Sequence, residues 1–74
     1  MELVPVDSSM LTAVGYDDEM QELEVVFTTG GTYRYTNVPR EIYEGLLAAD
    51  SKGQYMHACV IDYFPYYRVS RRRR

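Results

Sequence analysis

The stretch Leu23 to Tyr35, LEVVFTTGGTYRY, carries the clearest pattern in the chain. Leu23, Val25 and Phe27 are apolar at every second position while Glu24 and Thr28 take the other parity, the period of a half-buried strand. Tyr33 and Tyr35 resume that period after Gly30-Gly31, so the segment reads as a hairpin. Both apolar sets share one face only if the loop is odd in length. A loop of Thr29, Gly30 and Gly31 sets Phe27 opposite Tyr33 and Val25 opposite Tyr35, with Gly31 in the left-handed conformation. A two-residue Gly-Gly loop would set Arg34 opposite Phe27.

Upstream, Leu3 to Val6 reads as a short extended lead-in, since Pro5 has no N–H for a ladder and suits an edge. Asp7, Ser8 and Ser9 punctuate it. Leu11 to Tyr16 is the first full strand. Val14 and Tyr16 share a parity that Leu11 does not, which predicts a bulge near Thr12. Asp17 to Gln21 is the turn that follows, so the order is strand, turn, strand, tight loop, strand: an antiparallel meander.

After Tyr35 the period changes. Val38-Pro39 opens a helix, because the residue before proline is pushed to extended geometry and proline fits the first helical position. Ile42, Tyr43, Leu46, Leu47 and Ala49 then form one apolar stripe over Pro39 to Ala49. Gly45 weakens this helix by ~1 kcal/mol relative to alanine unless it lets another segment approach. Ser51 with Gln54 reads as a capping box for a second helix over Lys52 to Asp62, burying Tyr55, Met56, Cys59 and Val60, with a sharp turn at Asp50. The aromatic segment Tyr63 to Val69, with Pro65, suits a short edge strand or an extended cover over the core. The expected fold is α+β: a three-stranded antiparallel meander packed against two consecutive helices, with a short C-terminal extended segment. Residues 1–70 form one domain and residues 71–74 a basic tail.

Composition adds three constraints. At 74 residues the core buries only ~60% of the unfolded chain's surface, so stability is thin and self-association as a symmetric dimer would help. No apolar run is long enough to span a membrane, and MELVPVDSS lacks the basic and apolar regions of a signal peptide, so a cytoplasmic protein is expected. Charge is uneven. Four of the eight basic residues are Arg71 to Arg74, leaving four against eleven acidic ones and a body of net charge −7. A uniform basic face is excluded, and any phosphate-binding surface is local or uses the tail, which otherwise reads as a solvated end.

Ser8-Ser9, Gly15-Tyr16, Leu23-x-Val25-x-Phe27, Gly30, Tyr33-x-Tyr35, Val38-Pro39, Tyr43, Ser51-x-Gly53-x-Tyr55 and Tyr63 occur in an order that resembles the KTSC family. That family is named for a short domain at the C-terminus of some lysyl-tRNA synthetases, and it also occurs alone in bacteria and phages. The resemblance runs from Val6 to Val69 and implies a role in binding RNA or another nucleic acid. His57 departs from it, standing where the family pattern leads one to expect asparagine.

The candidate chemistry is that of binding. One histidine and one cysteine cannot supply a four-ligand zinc site, and His57 and Cys59, two apart on a helix, do not face each other. Asp17, Asp18 and Glu19 lack the spacing of a calcium loop and read as a solvated turn. No nucleophile and base pair is found, so no catalytic residue, metal or cofactor is expected. The free amides at Ser51, Lys52 and Gly53 can hold a phosphate, or Ser51 can serve as a cap alone. Arg34 and Arg68 can take another phosphate, and His57 is either a ligand contact or a plain surface residue. Tyr33 and Tyr35 serve a core or a stacking platform equally well. The expected function is non-catalytic binding of a nucleotide or short single-stranded nucleic acid, including sequestration of a nucleotide signal. A protein-interaction module without nucleic-acid binding is the alternative. The site should lie where the sheet edge meets the second helix, or across a dimer interface, with Arg34 and Lys52 both exposed.

Overall fold

Alternation along the strands decides which face of the sheet the helices cover. In the computed structural model, which describes residues 2–69, the elements are β1 (Val4–Pro5), β2 (Leu11–Asp17), β3 (Glu22–Phe27), β4 (Thr32–Tyr35), α1 (Arg40–Ala48), α2 (Lys52–Cys59) and β5 (Tyr66–Arg68). Val14 of β2, Leu23 and Val25 of β3 and Tyr35 of β4 meet Tyr43 and Leu46 of α1 and Met56 and Val60 at the end of α2 in one buried cluster. The tail Arg71 to Arg74 lies outside the described residues.

The sheet has five strands in the order β1-β2-β3-β4-β5, all antiparallel, rather than the three expected. The lead-in and the C-terminal segment each take a place at an edge because doing so satisfies backbone groups. Val6 N–H donates to Thr12 C=O (3.1 Å), Thr36 N–H to Pro65 C=O (2.8 Å) and Val69 N–H to Thr32 C=O (2.8 Å). The expected bulge is present: pairing passes from Leu11↔Phe27 to Ala13↔Val26, skipping Thr12. That extra residue lets Leu11 and Val14, of opposite parity, both reach zero exposure.

The β3–β4 hairpin corrects the expected register. Val25 faces Tyr33 and Leu23 faces Tyr35, and the loop is Thr28, Thr29 and Gly30. It is closed by Phe27 N–H to Gly31 C=O (2.8 Å) and Gly30 N–H to Phe27 C=O (2.9 Å). The loop keeps its three residues but begins one earlier, so the parity argument survives and Phe27 and Tyr33 still share a face. The two glycines divide the work differently from the expectation. Gly30, at φ 106°, takes the left-handed position, while Gly31 is small because the Tyr33 ring lies over it, 3.0 Å from where a Cβ would stand.

Helix α1 begins one residue later than expected. Pro39 is its N-cap, at φ −64° and ψ 150°, and Arg40 its first helical residue. The preceding Val38 is fully buried, with its N–H donating to Gln21 C=O (2.9 Å) and its carbonyl accepting from the Tyr16 hydroxyl. The Tyr16 ring stacks on Tyr43 of α1, with centroids 5.3 Å apart. Burial, reinforced by the Asp18 charge, raises the Tyr16 pKa, so this donor stays protonated well into the alkaline range. Helix α2 ends at Cys59 rather than Asp62: the Met56 carbonyl accepts from both Val60 (2.9 Å) and Ile61 (2.7 Å), and Asp62, at φ 72°, turns the chain back toward the sheet.

Gly45 is where the helices approach. A Cβ there would overlap the Tyr55 hydroxyl and stand 2.8 Å from its Cζ. Overpacking of that kind costs ~1–3 kcal/mol, against the ~1 kcal/mol that alanine gains in helix propensity. G45A is therefore expected to lower the melting midpoint, whereas in a Y55L background the same change should raise it or leave it unchanged. A higher midpoint for G45A alone would show that α1 and α2 do not meet there.

Candidate functional site

Strand β5 assembles the richest chemical surface in the fold. Tyr66 pairs with Tyr35 and Arg68 with Tyr33, so these four alternate residues lie side by side on the helix-bearing face. Phe27 adds a ring from β3. The rings interlock edge-on or tilted: Phe27–Tyr33 at 5.7 Å, Tyr33–Tyr66 at 5.7 Å and Tyr35–Tyr66 at 5.5 Å between centroids. The Arg68 guanidinium stands 6.0 Å over the Tyr33 ring. Ile61 and Asp62, from the turn after α2, close the side, leaving a cleft of about 200 Å³. Its floor is firm, with Tyr35 only 5% exposed, while Tyr66 is 60% exposed at the rim. Burial raises the Tyr35 pKa, with further contributions that include the Asp62 charge, so the Tyr35 hydroxyl is neutral at physiological pH.

The helix start at Ser51 borders a different cleft, of about 260 Å³, lined by Asp7, Ser8, Ser9, Asp50, Ser51, Lys52 and Gly53. It brings Ser8-Ser9 and Ser51-x-Gly53 to one place although they are far apart in the chain. Both serines close local turns: Ser8 Oγ accepts from Met10 N–H (3.1 Å) and Leu11 N–H (3.3 Å), and Ser51 Oγ accepts from Gln54 N–H (3.3 Å). Lys52 is half-buried rather than exposed, and its Nζ donates to Ala49 C=O (2.9 Å) at the end of α1. With its ammonium so engaged and two aspartates in the lining, this cleft is a poorer place for a phosphate than the sequence implies.

Arg34 lies apart from both clefts. Its parity places it on the sheet face away from the helices, where Nε contacts Glu24 Oε1 at 2.8 Å and Nη1 contacts Glu22 Oε1 at 3.4 Å. The Tyr67 hydroxyl donates to the same Glu22 oxygen (3.4 Å). Its side chain is 31% exposed and covers Glu24, which is 1% exposed, so the expectation of a free arginine is corrected. The Glu24 hydrogen bond raises the Arg34 pKa further. His57 is exposed on α2 and lines neither cleft. Of the residues named from sequence, the structure thus joins Tyr33, Tyr35 and Arg68 in one place and Ser51, Lys52 and Gly53 in another. Ile61, Asp62 and Tyr66 were missed as their neighbours, whereas the hairpin pattern had already set Phe27 on the face of Tyr33. The signal for Tyr66 was its two-residue spacing from Arg68, which matches Tyr33 and Tyr35 across the ladder.

A small antiparallel sheet carrying two helices, with an open aromatic cleft at one edge, defines a compact α+β domain. The family profile of the KTSC domain matches residues 7–64, and the chain belongs to that family. It is 47% identical over 57 residues to an uncharacterized protein of Stutzerimonas stutzeri, covering 77% of this chain and 80% of that one. It is also 35% identical over 68 residues to a lysine–tRNA ligase of Nostoc, covering 92% of this chain but only 12% of the ligase. A crystal structure of a KTSC domain protein from Yersinia pestis superposes with a TM-score of 0.91 at 30% identity, covering 93% of this chain and 97% of that one.

The Arg34–Glu24 contact generates a stability prediction. Removing the guanidinium from a carboxylate held at 1% exposure should cost about 1–3 kcal/mol, discounted from the value for a fully buried pair because Arg34 is itself 31% exposed. In urea denaturation R34A is expected to shift the midpoint down at constant slope, with R34K intermediate. An unchanged midpoint would assign Arg34 to the solvated surface.

Proposed function

We propose that this chain is a non-catalytic binder of nucleotides or short single-stranded nucleic acid, and that the β4–β5 aromatic cleft is its base-binding surface. The observation that carries the reading is the convergence of Tyr33, Tyr35 and Tyr66 in one cleft, with the Arg68 guanidinium over the Tyr33 ring beside it. Base stacking on such rings contributes ~1–3 kcal/mol per base, and the guanidinium suits a phosphate. The acidic body favours a compact ligand over tracking along a duplex, which needs many phosphate contacts. Likeness to part of a lysine–tRNA ligase, an enzyme whose name puts RNA among its ligands, supports the same class. Sequestration of a nucleotide signal fits so small a domain, and no helix among the described residues is long and apolar enough to cross a membrane.

Fluorescence polarisation with short labelled single-stranded RNA, at two salt concentrations, tests this. Y66A and R68A should each weaken binding about tenfold, and R68A should also reduce the salt slope by about one phosphate contact. K52A and R34A, compared where the proteins are folded, should leave affinity unchanged. Absence of binding at both salt concentrations rejects the reading.

A second reading, self-association, is favoured by the exposure of β5 and its flank: Tyr63 is 65%, Tyr66 60% and Tyr67 46% exposed, large for a chain of this size. Antiparallel pairing of β5 with a second copy would make a symmetric dimer. Sedimentation equilibrium at tens of micromolar is expected to show twice the 8.6 kDa chain mass, and a purely monomeric solution sinks the idea.

A further inference from the structure

The turn after α2 places an exposed aspartate at the border of a cleft otherwise lined by aromatic rings and Ile61. Asp62 lines the cleft beside Phe27, Tyr33, Tyr35, Ile61 and Tyr66. Its backbone sits at φ 72°, a conformation that aspartate and asparagine tolerate better than most residues. Its side chain is exposed, and among the described residues none donates a hydrogen bond to it. The charge is close enough to Tyr35 to contribute to the raised pKa of that hydroxyl.

An ionised carboxylate only accepts hydrogen bonds, and its two oxygens match a pair of adjacent N–H donors. Unstacked bases are read along their Watson–Crick edges while aromatic rings hold their faces. Guanine presents N1–H and the N2 amine side by side on that edge. Adenine and cytosine offer an exocyclic amine beside a ring acceptor, and uracil flanks its one N–H with carbonyls that repel a carboxylate. A cationic ligand would also suit rings and an acid, but the Arg68 guanidinium already stands over Tyr33 and sets a positive charge at the cleft. That charge favours a phosphate instead. The size agrees: about 200 Å³ is below the ~300–1,000 Å³ of pockets that enclose a whole ligand, so a base would sit inside with sugar and phosphate outside.

We propose that the cleft selects guanine: Asp62 accepts from N1–H and the N2 amine, the Tyr33, Tyr35 and Tyr66 rings hold the base, and Arg68 contacts the phosphate. The proposal rests on the nucleotide-binding reading and adds the identity of the base. Isothermal titration with GMP, IMP, AMP and UMP tests it on the full chain. GMP should bind most tightly, with IMP, which lacks the N2 amine, weaker by about tenfold and AMP and UMP weaker still. D62N keeps the side-chain size and tolerates the backbone angle. It should lower GMP affinity about tenfold or more and leave AMP affinity unchanged or raised, because an amide can pair with an exocyclic amine and the ring acceptor beside it. Equal binding of GMP, AMP and UMP, with no effect of D62N, overturns guanine selection while nucleotide binding stands. No binding of any nucleotide or of the short RNA removes both. Binding of tetramethylammonium in place of GMP, lost in D62N, overturns it in favour of a cation site.

Discussion

The joint between sheet and helices depends on one buried residue whose backbone faces two ways. Val38 must be extended because Pro39 follows, and it is fully buried, so both of its polar backbone groups need partners away from water. Gln21, at the β2–β3 turn, accepts from its N–H, and the Tyr16 hydroxyl donates to its carbonyl. These two bonds tie the start of α1 to β2. The stack of Tyr16 on Tyr43 then fixes the direction in which the helix leaves. Helix α2 has little freedom after that, since only Asp50 separates the cap of α1 from that of α2. The surface ion pairs of Arg40 with Asp18 and Glu44 lie beside this joint but add little, because all three side chains are more than half exposed.

The two faces of the sheet obey different physics. On the helix-bearing face apolar burial dominates, and it thins toward β5, where the post-helical turn rather than a helix lies over the rings. On the other face Glu22, Glu24, Arg34 and Tyr67 form a polar cross-strand patch, in which Arg34 lies directly opposite Glu24 and Tyr67 directly opposite Arg34. An arginine that looks available in the sequence is therefore committed to its neighbours. The same ladder carries Arg68 to the opposite face, where its guanidinium stands over the Tyr33 ring.

Most of the fold was legible in the sequence because its signals are local. Period two in Leu23 to Phe27, the parity break at Leu11, the Val38-Pro39 dipeptide and the Ser51 cap each act within a few residues, and each element formed close to where it was expected, with α2 ending three residues early. The hairpin loop was displaced by one residue because Thr28 and Gly31 could exchange roles, and alternation alone does not choose between them. The two edge strands had been read only as extended segments suited to an edge, not counted in the sheet. Val4–Pro5 and Tyr66–Arg68 are too short to show a period, and exist only because β2 and β4 offer them a ladder. The candidate site was legible in part. Tyr33, Tyr35 and Arg68 could be named, but their grouping with Asp62 required knowing that α2 stops at Cys59 and that the turn after it swings over the sheet.

The two edges of the sheet are not equivalent. On β1, Val6 N–H points inward to Thr12, so by alternation the nitrogen of Pro5 faces outward, and proline has no hydrogen to offer there. On β5, Val69 N–H points inward to Thr32, so the outward donors belong to Tyr66 and Arg68, and both carry a hydrogen. One rim of the molecule is blunted and the other is a template. A sheet open on both rims can recruit copies without end, as a fibre does. Were copies to join at β5, a two-fold axis through Tyr67 would consume that rim on each copy, and Pro5 would disfavour further addition at the other.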